Sequence, residues 1–99
     1  MMRYRFCLYI TGETGRSRRA VDNLRTLCDE RVPGHYELLI VDVLVSPDLA
    51  EENRIIATPT AIKLVPPPER RVIGDLSDLG LAASALDLPD RPVPMPGGG

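Results

Sequence analysis

Few residues in this 99-residue chain have the type or spacing for chemistry: Cys7, Cys28, His35, the adjacent Glu51 and Glu52, and the loop Thr11-Gly12-Glu13-Thr14-Gly15. Thiol chemistry needs a thiolate, which forms where a helix N-terminus or a cation lowers the thiol pKa. Cys7 falls inside an apolar strand pattern and Cys28 on the apolar stripe of a helix, and no Cys-x-x-Cys pair exists. Both read as buried small hydrophobes. Glu51 and Glu52 are neighbours, so on a helix they point in different directions and cannot share a proton as a catalytic pair. The Thr11–Gly15 loop is too short for a phosphate loop and lacks its lysine. His35 sits beside Gly34 in a turn and reads as solvated. No spacing suits a metal. The residues themselves offer no catalytic set, no metal site and no cofactor site.

Proline is the more informative residue. It fixes φ, gives no backbone donor and tolerates the cis peptide. Pro59 stands in Ile56-Ala57-Thr58-Pro59-Thr60 ahead of an apolar strand, and Pro66-Pro67-Pro68 precede Arg70-Arg71-Val72-Ile73. A cis Thr58–Pro59 bond would orient that strand and the loop at Gly12, whereas a trans proline would merely begin the strand, and the sequence leaves the two open. The isomers at Pro66, Pro67 and Pro68 are left open by the sequence.

These residues need elements to hold them. Residues 3–10 alternate, with Tyr4, Phe6, Leu8 and Ile10 on one face and Cys7 and Tyr9 on the other, as in a central strand. Ser17 reads as the N-cap of a helix with an Ala20, Val21, Leu24, Leu27, Cys28 stripe, closed by Pro33-Gly34. Residues 36–43 are a β-branched strand. Ser46-Pro47-Asp48 starts a short charged helix through Glu51-Glu52-Asn53-Arg54. Residues 60–65 and 70–73 form a hairpin across the prolines. Asp75 or Ser77 is expected to cap a last helix running through Leu79, Ala82, Ala83, Ala85 and Leu88, because a run of alanines is good helix and poor strand material. Residues 1–88 make one domain, and the Pro/Gly-rich stretch 89–99 is expected to be a disordered tail.

Composition narrows the class. The net charge of −2 gives no global pull toward nucleic acid or a membrane surface. The apolar run Leu38-Leu39-Ile40-Val41 is far too short to span a bilayer. Met1-Met2-Arg3-Tyr4-Arg5 lacks the apolar stretch of a secretory signal, and a cytoplasmic location is expected.

The order of these motifs resembles the KaiB family of circadian-clock proteins. The carriers are Leu8-Tyr9-Ile10 with Gly12, Ile40-Val41-Asp42-Val43-Leu44, Pro47 with Leu49-Ala50-Glu51-Glu52, Ala57-Thr58-Pro59-Thr60, and Pro66-Pro67-Pro68 with Arg70-Arg71-Val72-Ile73-Gly74-Asp75-Leu76-Ser77. The resemblance implies a non-enzymatic regulator that binds the ATPase ring of a KaiC-like partner. It also implies two folds. One is a thioredoxin-like, monomeric β-α-β-α-β-β-α arrangement with a mixed four-stranded sheet. The other is a ground state, β-α-β-β-α-α-β, usually tetrameric. Family members usually carry glycine where this chain has Ala85, while Asp87 is retained. Alanine favours helix over glycine by about 1 kcal/mol, so the thioredoxin-like state is expected to dominate. Arg19 and Arg54 match family positions near the loop and at the partner contact, and Lys63 is a further contact candidate. Glu37 and Leu39 depart from the family pattern on the second strand, so capture of KaiA is not implied. A domain docking a histidine kinase is the alternative function, and a thioredoxin-like oxidoreductase a more distant one.

Overall fold

A computed structural model describes residues 3–95. The central strand β1 (Tyr4–Ile10) is apolar on both faces and ends up flanked on both edges. It pairs in parallel with β2 (Tyr36–Asp42), reached through helix α1 (Gly15–Arg31), and antiparallel with β3 (Thr60–Val65). Strand β4 (Arg70–Ile73) closes the sheet antiparallel to β3, giving the order β2-β1-β3-β4. The short helix α2 (Pro47–Glu52) links β2 to β3, and α3 (Leu79–Ala85) follows β4. This is the β-α-β-α-β-β-α order and the mixed four-stranded sheet expected from the sequence.

The main core lies on one face of the sheet. Phe6 and Leu8 from β1 and Ala61 from β3 meet Ala20, Leu24, Leu27 and Cys28 from α1, with Ala82, Ala83 and Leu86 from the α3 region completing it. Small alanines let α3 lie close to its neighbours. A second, smaller cluster on the opposite face joins Cys7, Tyr9, Val41 and Ile62, roofed by Val43 and Ile55 from the segments around α2.

Two cap assignments differ from the sequence reading. Thr14, not Ser17, caps α1: its Oγ1 accepts the Ser17 N–H at 3.2 Å. Ser17 is instead buried and accepts the Thr11 N–H at 3.2 Å, tying the helix to the loop in front of it. Asp78, not Asp75 or Ser77, caps α3, accepting the Leu81 N–H at 3.0 Å. Helix α3 also stops at Ala85, short of the expected Leu88. It ends in a left-handed residue, Asp87 (φ 56), with Asp87 N–H to Ser84 O at 3.1 Å and Leu88 N–H to Ala83 O at 2.9 Å. That pair of bonds is the Schellman closure.

Residues 89–95 contain no helix or strand, but they differ from a free tail. The Val93 N–H donates to the Arg31 carbonyl at 3.0 Å, and Val93 packs against the main core. The rest of the expected tail, 96–99, lies outside the described residues.

Candidate docking surface

The end of the sheet that carries α2 is built from three connected loops. Gly12 (φ 54) turns the chain after β1, and its N–H donates to Asp42 Oδ1 at 3.1 Å. The same carboxylate oxygen accepts the Leu44 N–H at 2.9 Å, so one side chain braces the β1–α1 loop against the β2–α2 loop. Thr11 and Thr58 join their hydroxyls across to the third loop, where Thr58–Pro59, left open by the sequence, is cis. Pro59 is buried, and its carbonyl accepts the Gly74 N–H at 2.8 Å. Val65–Pro66 and Pro67–Pro68 are cis as well.

On this braced end the apolar side chains point outward. Ile56 is 87% exposed, Val45 79% and Leu44 69%, with Leu49 of α2 also exposed. A groove of about 350 Å³ opens at this end beside Ile56, lined also by Thr11, Val43, Pro47, Ala50 and Thr58. Burying such side chains is worth about 25 cal/mol per Å², and none of the described residues covers them. Exposed apolar side chains gathered at one end of a well-packed domain make that end a candidate docking surface.

Arg54 stands at its rim. Helix α2 closes by the same Schellman pattern as α3, with Arg54 N–H to Glu51 O at 3.1 Å and Ile55 N–H to Ala50 O at 2.9 Å. This places Arg54 in the left-handed region (φ 55), where glycine is the cheaper residue. Its side chain is exposed and forms no ion pair among the described residues, so the Glu51–Arg54 pair allowed by spacing is not made. The Arg71 guanidinium reaches its carbonyl at 3.5 Å, adding a second cation beside the patch.

The other predicted residues go elsewhere. Arg19 pairs with Asp75 at 3.4 Å, and Asn23 Nδ2 donates to the Asp75 carbonyl at 2.7 Å, so together they fasten α1 to the β4–α3 loop. The Ser77 hydroxyl and N–H, with Arg19 behind them, hold the Asp75 carboxyl below its ordinary range. Lys63 is not an exposed contact residue. Its side chain is 1% exposed, on the face of β3 that carries Ala61, with Nζ 3.7 Å from Asp87 Oδ2. In the pleat, residues 61 and 63 share a face, and that face is the main core. Ala85 lies in α3, as the alanine run predicts, and is its last residue. On β2, Glu37 accepts Arg5 Nε at 3.0 Å and Arg3 Nε at 3.2 Å, and Leu39 is exposed.

The cysteines are poor nucleophiles. Cys28 is fully buried and its thiol is pushed up to about 12 by burial, and burial raises Cys7 too. The exposed patch itself was missed in the sequence reading. Its signal was present in Val43-Leu44-Val45 and Ile55-Ile56, apolar runs that outlast the strand and helix they adjoin.

A KaiB domain model matches residues 7–88. The chain belongs to the KaiB family. It is 51% identical over 81 residues to the Circadian clock oscillator protein KaiB of Prochlorococcus marinus (strain NATL2A), covering 82% of this chain and 76% of the relative. Against the protein of that description from Gloeothece citriformis it is 48% identical over the same length, with 82% and 76% covered. Among solved structures, the N-terminal domain of Synechococcus elongatus SasA superposes with a TM-score of 0.69 at 21% identity, covering 88% of this chain and 86% of that one. Mitochondrial thioredoxin 3 from Saccharomyces cerevisiae gives 0.68 at 20% identity, with 89% and 81% covered. The fold of this KaiB-family chain is thioredoxin-like, and its relatives' names point to a role in clock regulation.

Proposed function

We propose that this KaiB-family chain is a non-enzymatic regulator that docks on the ATPase ring of a KaiC-like partner through the α2 end of the sheet. The observation that carries this is the exposed Leu44, Val45, Leu49 and Ile56 patch on a rigidly braced end, with Arg54 at its rim. A left-handed arginine is kept where glycine would be cheaper, and such local cost is tolerated at functional positions. Apolar centre and charged rim are the usual anatomy of a specific interface. The loop before α1, where a thioredoxin-type thiolate would have to sit, is Gly12-Glu13-Thr14-Gly15, and both thiols are buried. Free cysteines fit a reducing, cytoplasmic setting. Docking by a histidine kinase on the same fold is the second reading, and KaiA capture is not part of the proposal, given the Arg3–Glu37–Arg5 cluster on β2.

Co-sedimentation with a KaiC-like hexamer in ATP, ADP and no nucleotide tests the reading. Binding in at least one nucleotide state is expected. Ile56→Asp is expected to weaken it at least tenfold, a loss of about 1.4 kcal/mol or more, while leaving stability within about 0.5 kcal/mol because Ile56 is exposed. No binding in any state, or binding indifferent to Ile56→Asp and Arg54→Glu, refutes it.

A further inference from the structure

Helix α1 ends at Arg31, and the last turn of a helix leaves carbonyls with no donor inside the helix. The Arg31 carbonyl is supplied from far along the chain by the Val93 N–H, at 3.0 Å. The guanidinium of the same residue reaches back along that segment, Nη1 donating to the Pro89 carbonyl at 2.7 Å. A third bond joins His35 Nε2 and the Pro94 carbonyl at 2.8 Å. Between these bonds the Val93 side chain turns inward against the main core, while Pro92 and Pro94 on either side stay exposed. Arg31 thus grips the segment twice, once by main chain and once by side chain.

The segment is suited to being gripped. Pro89, Pro92 and Pro94 fix φ at three positions, and the residue before each proline is confined to extended backbone. Less conformational entropy is lost on docking than for an ordinary tail. It begins immediately after Leu86 and Leu88, which are buried beneath the end of α3. It also lies beyond residues 7–88, the extent of the KaiB domain match.

We propose that residues 89–95 are a strap that locks α3 in place: by clasping the C-terminal end of α1 they set how readily α3 leaves the sheet. Lifting α3 pulls on Leu88 and Pro89, and Pro89 is held by Arg31. The strap therefore controls a local opening of the last helix rather than the stability of the sheet as a whole, the kind of sub-global unit that native-state exchange resolves.

Hydrogen exchange of the full chain, of Val93→Pro and of a chain ending at Leu88 tests this. Val93→Pro deletes the donor to Arg31 while suiting a position already held extended by Pro94. The amides of residues 82–88 are expected to exchange at least tenfold faster in both variants, with a smaller change in β1. Unchanged exchange over 82–88 in Val93→Pro overturns the strap. So does equal acceleration of β1 and 82–88, which would make the segment a general stabiliser and not a lock on α3. If the shortened chain fails to fold, Val93→Pro decides alone.

Discussion

At Arg54 the backbone turns left-handed (φ 55) at a helix end, and the exposed side chain stands beside the apolar patch. Arg54→Gly is therefore expected to stabilise the isolated domain by about 1 kcal/mol and to weaken the proposed docking on a KaiC-like ring, measured by urea denaturation and by a binding isotherm. A gain in stability with no loss of binding would remove Arg54 from the interface. Lys63 and Asp87 make a lopsided pair, the lysine side chain 1% exposed and the aspartate 60%. Removing the aspartate strands a buried cation, whereas removing the lysine leaves a carboxylate that water can reach. Asp87→Asn is expected to cost about 1–3 kcal/mol and Lys63→Met less than about 1 kcal/mol, measured by a double-mutant cycle. The burial of Lys63 was legible in principle, since alternation places it with Ala61. The identity of its partner was not, because Asp87 is brought there by α3, far along the chain. Ser17 was misread because Thr14 and Ser17 are both good capping residues, and only the loop geometry assigns the cap to Thr14 and turns Ser17 inward.

The elements themselves were legible wherever a local rule set them. Strands β3 and β4 lie where apolar alternation and the intervening prolines place them, and Pro47 with Asp48 starts α2. Helix α3 follows from its alanines, but its end does not, because the stop is made by a left-handed aspartate and no glycine announces it. Two links between elements depend on ionised carboxylates. Asp75 joins the β4–α3 loop to α1 through Arg19, and Glu37 on β2 pairs with Arg5 and Arg3. Both carboxyls are held below their ordinary values of 3.8 and 4.5, Asp75 by the Ser77 hydrogen bonds first and Glu37 by the Arg5 hydrogen bond first. A depressed carboxyl adds stability above its unfolded pKa and loses it as pH falls through the folded one. Stability is thus expected to drop on acidification below about pH 4, less steeply in Asp75→Asn, as followed by urea midpoints across pH. An identical acid limb in Asp75→Asn would show that this link carries no pH dependence.

At the scale of the whole molecule, one sheet face is closed by α1 and α3 and the other is only partly roofed around α2. The asymmetry leaves one end free to meet a partner while the opposite face holds the fold. The alanine run through Ala85 and the Schellman closure at Asp87 both favour a helical last element. The proposed docking end requires α3 to be a helix in a single-chain molecule. Backbone chemical shifts for residues 79–88, recorded with the mass from sedimentation, test that most directly. Helical shifts across Leu79–Ala85 at the mass of one chain are the predicted result. Strand shifts over those residues, or a four-chain mass, would contradict it.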